Sequence, residues 1–195
     1  MGTEKFTERA QEAIGRAQQL LRQFQHNQMD VEHLLLALLT KADGLVPQIL
    51  QKLGVDPSRT GDRLEQMLHA GPKIQAYGGQ TQVYITPRLK RVFDVAEEEA
   101  NRLKDEFIGA EHLFIAICAE REGDSARLLR ELGVDQEKVY RALVEIRGSQ
   151  RVTDPNAESK YQVLQKYSRD LTEMARAGKL DPVIGRRDEI QRVIQ

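Results

Sequence analysis

One pattern recurs at a constant offset, and that recurrence constrains the fold more than any other feature of the chain. Thr7–Arg9 returns as Thr86–Arg88, and Glu32-His33-Leu34 returns as Glu111-His112-Leu113. Leu53-Gly54-Val55-Asp56 returns as Leu132-Gly133-Val134-Asp135. Each pair is separated by 79 positions. Ala17 with Ala96, Ala37 with Ala116, Gly44 with Gly123, Leu50 with Leu129 and Leu64 with Leu143 keep the same register. A register held across so many landmarks without net insertion means one unit present twice, over about residues 6–71 and 85–150.

Each copy reads as four helices. Thr7 is an N-cap candidate, followed by an apolar stripe of Ala10, Ile14, Ala17, Leu21 and Phe24. Asp30 caps a short helix through Leu39 that is apolar nearly all round and so belongs inside. A third helix near Leu45–Leu53 stops at Gly54, and Asp56-Pro57 opens a fourth that ends by Gly71. The second copy repeats this logic. Thr86-Pro87 opens its first helix, Leu113–Ala119 is its buried helix, Gly133 ends its third and Asp135 caps its fourth. The connector Gly71–Tyr84 reads as a loop with a short extended piece at 82–85. The expected fold class is all-α, two pseudo-symmetric four-helix repeats burying their apolar faces on each other.

Composition agrees and excludes several classes. Among 195 residues, hydrophobics are 40% and aromatics 5%, with no Trp, which favours helices over sheets. Charges nearly cancel, 29 Lys+Arg against 30 Asp+Glu, so no nucleic-acid-coating surface is expected. The longest apolar run, Leu113–Ala119, is too short for a membrane span. The only cysteine, Cys118, cannot form a disulfide within the chain. That count and the absence of a signal-peptide core point to a cytoplasmic protein.

After Gly148 the texture changes. Residues 149–159 contain Asp154-Pro155-Asn156 and no apolar period, so they read as an exposed linker. A helix is expected over about 160–177, ended by Gly178. A further helix beginning near Asp188 is still in progress at Gln195, so the sequence reads as part of a longer protein.

The duplicated Thr…Glu-His-Leu…Leu-Gly-Val-Asp pattern resembles the Clp-type N-terminal repeat domain of the ClpA/ClpB/ClpC class of AAA+ unfoldases. Tyr161…Tyr167-Ser168-Arg169-Asp170-Leu171-Thr172 and Gly178-Lys179-Leu180-Asp181-Pro182-Val183-Ile184-Gly185-Arg186 look like the entrance to that family's first ATPase domain. The resemblance is strongest to ClpB, the ATP-driven disaggregases, and second to ClpC. It implies a repeat domain over 1–148, a linker over 149–159 and the start of an ATPase domain over 160–195. It also implies a module that binds misfolded or aggregated clients, and adaptors, for threading through a ring. ATP and Mg²⁺, hexamer formation and cooperating chaperones belong to the full-length relatives. The Gly-x-x-x-x-Gly-Lys-[Ser/Thr] phosphate loop is absent here, so this chain is expected to be a non-catalytic monomer without a cofactor of its own.

Residues were singled out on both grounds. Val183, Ile184 and Gly185 match the family's adenine-pocket segment. Thr7, Asp105 and Glu111 match positions important for client handling in ClpB. Asp105 lies in a polar loop and is expected to be exposed. Glu32 and Glu111 sit in the first turn of the second helix of each copy, where a carboxylate either meets the helix dipole or receives a client guanidinium. In ClpC-like domains the matching glutamates are implicated in binding phosphorylated arginine. Phe93 and Val95 are the groove candidates on the first helix of the second copy, and for each a place in the core is the competing assignment. The Glu-His pairs do not have metal-ligand spacing, since adjacent helical residues point about 100° apart; no metal site is expected. Their histidines are expected to bond between helices. The remaining alternative is a stand-alone adaptor for an unfoldase.

Overall fold

The computed structural model describes residues 3–73, 83–148 and 150–158, with the single positions 175, 176, 178 and 192. The chain divides into two units, Met1–Tyr161 and Gln162–Gln195. The first unit holds all the helices named below. In the second, Gly178 has φ +65 and donates its N–H to the Ala175 carbonyl. The expected helix over 160–177 and the segment Val183-Ile184-Gly185 lie outside the described residues.

The first copy contains α1 (Glu8–Gln23), α2 (Val31–Leu39), α3 (Leu45–Lys52) and α4 (Pro57–Ala70). The second contains α5 (Pro87–Arg102), α6 (Ala110–Ala119), α7 (Gly123–Glu131) and α8 (Gln136–Arg147). The expected caps are in place. Thr7 accepts from the Ala10 amide and Thr86 from the Leu89 amide, both at 3.2 Å. Asp56 and Asp135 cap α4 and α8. Gly54 and Gly133 turn the chain at φ +76 and +69, where a side chain would be strained.

Every residue of α2 is buried, and α6 is buried from Ala110 to Ile117. These two helices pack on each other, α1 and α5 flank them, and one apolar cluster spans both copies. That placement follows from composition: a helix without a polar face can only be a core helix. Within the cluster, burial pushes the Cys118 thiol far above its ordinary range, which leaves it unreactive.

Two very short parallel ladders lie between the copies. Strand β1 (Gln28–Met29) pairs with β2 (Tyr84–Ile85), and Phe6 bridges Ile108. Adding 79 to Phe6 and Met29 gives Ile85 and Ile108, so each copy lends its leading strand to the other. The bonds match as well: the Thr7 amide donates to the Ile108 carbonyl and the Thr86 amide to the Met29 carbonyl, both at 3.0 Å. Tyr84-Ile85 falls where an extended piece was expected; its partner was not anticipated.

Over the described residues 150–158 the exposed-linker expectation for 149–159 is corrected in part: Gln150, Arg151, Thr153, Pro155 and Asn156 are exposed, but the segment is anchored. Val152 and Ala157 are buried and pack with Phe107, and Glu158 is buried. The Glu106 amide donates to the Val152 carbonyl and the Glu8 amide to the Pro155 carbonyl, both at 2.9 Å. Apolar periodicity is a weak guide where two isolated small side chains suffice to anchor a segment.

Candidate functional site

The two Glu-His pairs sit at the N-termini of α2 and α6 and build related but unequal clusters. In the first copy Asp30 is the N-cap residue of α2. Its Oδ1 accepts from the Val31 amide at 2.8 Å, from Thr86 Oγ1 at 2.7 Å and from Arg88 Nε at 3.3 Å. Arg88 Nη2 donates to both oxygens of Glu32, at 2.9 and 2.8 Å. The Ser125 amide and hydroxyl complete the Glu32 shell at 3.1 Å. Burial by itself would raise the Glu32 carboxyl, but Arg88 and Ser125 outweigh it and hold it below its ordinary range. Glu32 therefore receives a guanidinium, as its chemistry suggested, but that guanidinium belongs to Arg88.

His33 closes the capping arrangement: its Nδ1 accepts from the Asp30 amide at 3.1 Å. The other ring nitrogen lies 3.0 Å from His26 Nδ1, so the proton between the rings is placed on His33 Nε2 by the network. Burial, then the charge of His26, pushes His33 down to about 4. Between about 4 and 6.5 the folded chain thus binds fewer protons than the unfolded one, and stability rises with pH across that window. Urea titrations at pH 4.5 and 7 should show this rise in the parent and a flattened one in His33→Asn. An equal slope in both proteins would remove His33 as its source.

In the second copy the counterpart of His26 is Asp105, and it is buried, not exposed. This corrects the loop expectation: the segment turns inward because its carboxylate has three partners there. His112 Nδ1 accepts from the Gly109 amide at 2.8 Å, so its Nε2 carries the proton and donates to Asp105 Oδ2 at 3.0 Å. Arg147 Nη2 and the Val152 amide donate to Asp105 Oδ1, the latter at 2.8 Å. Burial would raise this carboxyl; the bonds from His112, Arg147 and Val152 hold it at about 2. Glu111 is fully buried, and neither oxygen has a hydrogen-bond partner. Arg147 Nη1 is 3.6 Å from its Oε1. Burial, then the nearby charge of Glu158, raises Glu111 well above the carboxylate range. Stability from this group is present at low pH and is lost as pH rises through its folded pKa. Glu111→Gln should therefore stabilise the chain at neutral pH, as read from the urea midpoint; a lower midpoint at pH 7 would contradict the upward shift of Glu111.

Thr7 is likewise interior. Its amide bonds to Ile108, and its hydroxyl donates to Glu158 Oε1 at 2.7 Å while capping α1. The amides beside it are also engaged within the chain, Thr7 with the Ile108 carbonyl and Glu8 with the Pro155 carbonyl. Phe93 is buried with its ring edge-on to Phe6, 6.1 Å between centroids, which assigns it to the core and not to a groove. Val95 is only half-buried. It lines a groove of about 270 Å³ with Val92, Ala116 and Ala119 on its apolar side and Arg91 and Arg121 among its polar residues.

Among the described residues no group of three or more His, Cys, Asp or Glu side chains is placed to hold a metal ion. Nor is any helix there long and apolar enough to cross a membrane. Sequence reasoning missed Arg88, Arg147 and Glu158. Arg88 recurs at the shared offset with Arg9, and that was a usable signal. Glu158 had a subtler one: Gly109 stands where the first copy has Asp30, so the second cap lacks a carboxylate of its own.

Comparison with known proteins agrees with this geometry. The chain is 43% identical over 193 residues to the chaperone protein ClpB of Nitratidesulfovibrio vulgaris, covering 98% of this chain and 22% of that protein. It is 45% identical to ClpB 1 of Synechococcus elongatus, over 98% of this chain and 21% of the relative. The chain thus spans about a fifth of the length of these relatives. The fold matches the Hsp104 N-terminal domain from Candida albicans with a TM-score of 0.69 at 19% identity, over 79% of this chain and 99% of that one. It also matches a ClpV N-domain solved in complex with a VipB peptide, with a TM-score of 0.58 at 18% identity, over 72% and 86% of the two chains. The model of the Clp repeat (R) N-terminal domain matches residues 5–132, and the chain belongs to that family.

Proposed function

We propose that this chain is the client-recognition module of an ATP-driven disaggregase of the ClpB type. It engages apolar segments of misfolded or aggregated proteins, or adaptors, and delivers them to an ATPase ring. The observation that carries this reading is the groove at Val95. Its apolar side with charged neighbours suits an extended segment offering one or two apolar side chains and little sequence specificity. ATP and Mg²⁺, the hexameric ring and cooperating chaperones belong to the longer protein in this proposal; the module itself is a monomer without a cofactor, working in the cytoplasm. Support for the phosphoarginine alternative is weaker, because Arg88 already holds Glu32 and Glu111 is sealed in the interior.

The test is a titration of the isotope-labelled chain with a permanently unfolded protein such as reduced, alkylated lactalbumin. Shifts are expected along Arg91–Val95 and Ala116–Glu122. Val95→Glu should weaken binding about tenfold or more, in line with loss of an apolar contact of roughly 1.5 kcal/mol. Unchanged affinity in Val95→Glu would sink the groove assignment. Saturable shifts centred on Glu32 after adding phosphoarginine would favour the alternative.

A further inference from the structure

The repeat provides an internal control for the one carboxylate that does not obey it. In the first copy, Asp30 Oδ1 accepts from the first amide of α2 (Val31) and from the hydroxyl of Thr86. In the second copy the same two donors are the first amide of α6 (Ala110) and the hydroxyl of Thr7. Position 109 is glycine, so no cap carboxylate is available there. Glu158 Oε1 fills the vacancy, 2.8 Å from the Ala110 amide and 2.7 Å from Thr7 Oγ1. A residue 48 positions beyond α6's first amide reproduces both bonds of a local cap.

We propose that the Thr7–Ala110 seat is a carboxylate-binding site which the chain fills with its own Glu158. Residues 150–158 are thus an intramolecular ligand clasped to the repeat domain. Two observations besides the helix terminus support this. The segment is held along its length. Asp105 and the Glu106 amide grip the Val152 backbone, the Glu8 amide grips Pro155, and Asn156 Nδ2 reaches Glu8 Oε1 at 3.1 Å. The seat is also closed to a local side chain while Glu158 occupies it. A Cβ on Gly109 would stand 2.7 Å from Glu158 Oε1 and 2.4 Å from Glu111 Oε2. Thr7 and Asp105, singled out as client-handling positions, act in this arrangement as positioning residues for the segment, with Glu111 sealed beside the seat.

Two variants test the seat in the full 195-residue chain, read by amide hydrogen exchange. Glu158→Ala removes the ligand. Exchange at the Glu8, Glu106 and Val152 amides should rise at least tenfold while the α2 amides stay as slow as in the parent. Gly109→Asp supplies the second copy with the cap that the first copy already has, and the new carboxylate evicts Glu158. The same three amides should then speed up while the Ala110 amide stays protected, a pattern that general destabilisation would not give. Exchange at Glu8, Glu106 and Val152 within twofold of the parent in Glu158→Ala would overturn the proposal. Retained protection of those three amides in a folded Gly109→Asp would overturn it as well. Neither variant touches the groove at Val95, so this outcome is independent of the client titration.

Discussion

Arg147→Met is expected to lower the unfolding free energy by about 3–5 kcal/mol, the range for removing one partner of a buried ion pair. Arg147 is 6% exposed at its side chain and Asp105 is 0% exposed. The substitution keeps the length and apolar stem of Arg147, so packing around α8 is largely preserved and the loss is electrostatic. It leaves Asp105 with His112 and the Val152 amide alone, in a site where a carboxylate cannot be hydrated. It also removes the positive charge nearest Glu111 and frees the Gln150 carbonyl that Arg147 Nε holds. Urea unfolding of Arg147→Met, Asp105→Leu and the double variant decides the case. The double variant should be less destabilised than the two single losses added together, because removing both charges avoids stranding either. Strict additivity would mean that the two side chains do not depend on each other.

This cluster also shows where reading the sequence stops. Helices, caps and the burial of α2 and α6 were legible because each is local. The periodicity of Ala10 to Phe24, the caps at Thr7 and Asp30 and the all-apolar α2 are settled within a few residues of themselves. The constant offset then required the second copy to repeat them. The pairing of Phe6 with Ile108 was not legible, since two-residue strands carry no period and their partners lie a hundred positions away. Asp105 was misjudged for the same reason: a lone acidic residue in a polar loop is normally solvated. Its burial depends on Arg147 and Val152, which lie 42 and 47 residues further on. The candidate site was therefore legible in its residue types and not in its accessibility. Thr7, Asp105 and Glu111 do converge on one place. What they converge on is the chain's own segment 150–158.

Gly123→Ala is expected to cost about 2.5–5 kcal/mol, by adding a backbone strain of about 1–2 kcal/mol to a lost charged hydrogen bond of about 1.5–3 kcal/mol. Gly123 begins α7 at φ +85, and a Cβ there would lie 1.3 Å from Arg88 Nη1. No adjustment of a few tenths of an ångström relieves such an overlap, so the guanidinium must leave. With it go both bonds to Glu32, the bond from Nε to Asp30 and the bond from Nη1 to the Glu122 carbonyl at 3.0 Å. Glu32 then keeps Ser125 of α7 as its remaining hydrogen-bond partner from another element. The glycine shared by both copies has no such role in the first, where Gly44 sits at φ −69 before α3 and no guanidinium crosses it. A double-mutant cycle separates the two costs. In an Arg88→Leu background, Gly123→Ala should lose the electrostatic part and keep the backbone part, leaving about 1–2 kcal/mol. An equal loss in both backgrounds would show that the glycine serves the turn alone. A smaller loss when Arg88 is absent would show that Gly123 exists to let one copy's arginine reach the other copy's glutamate.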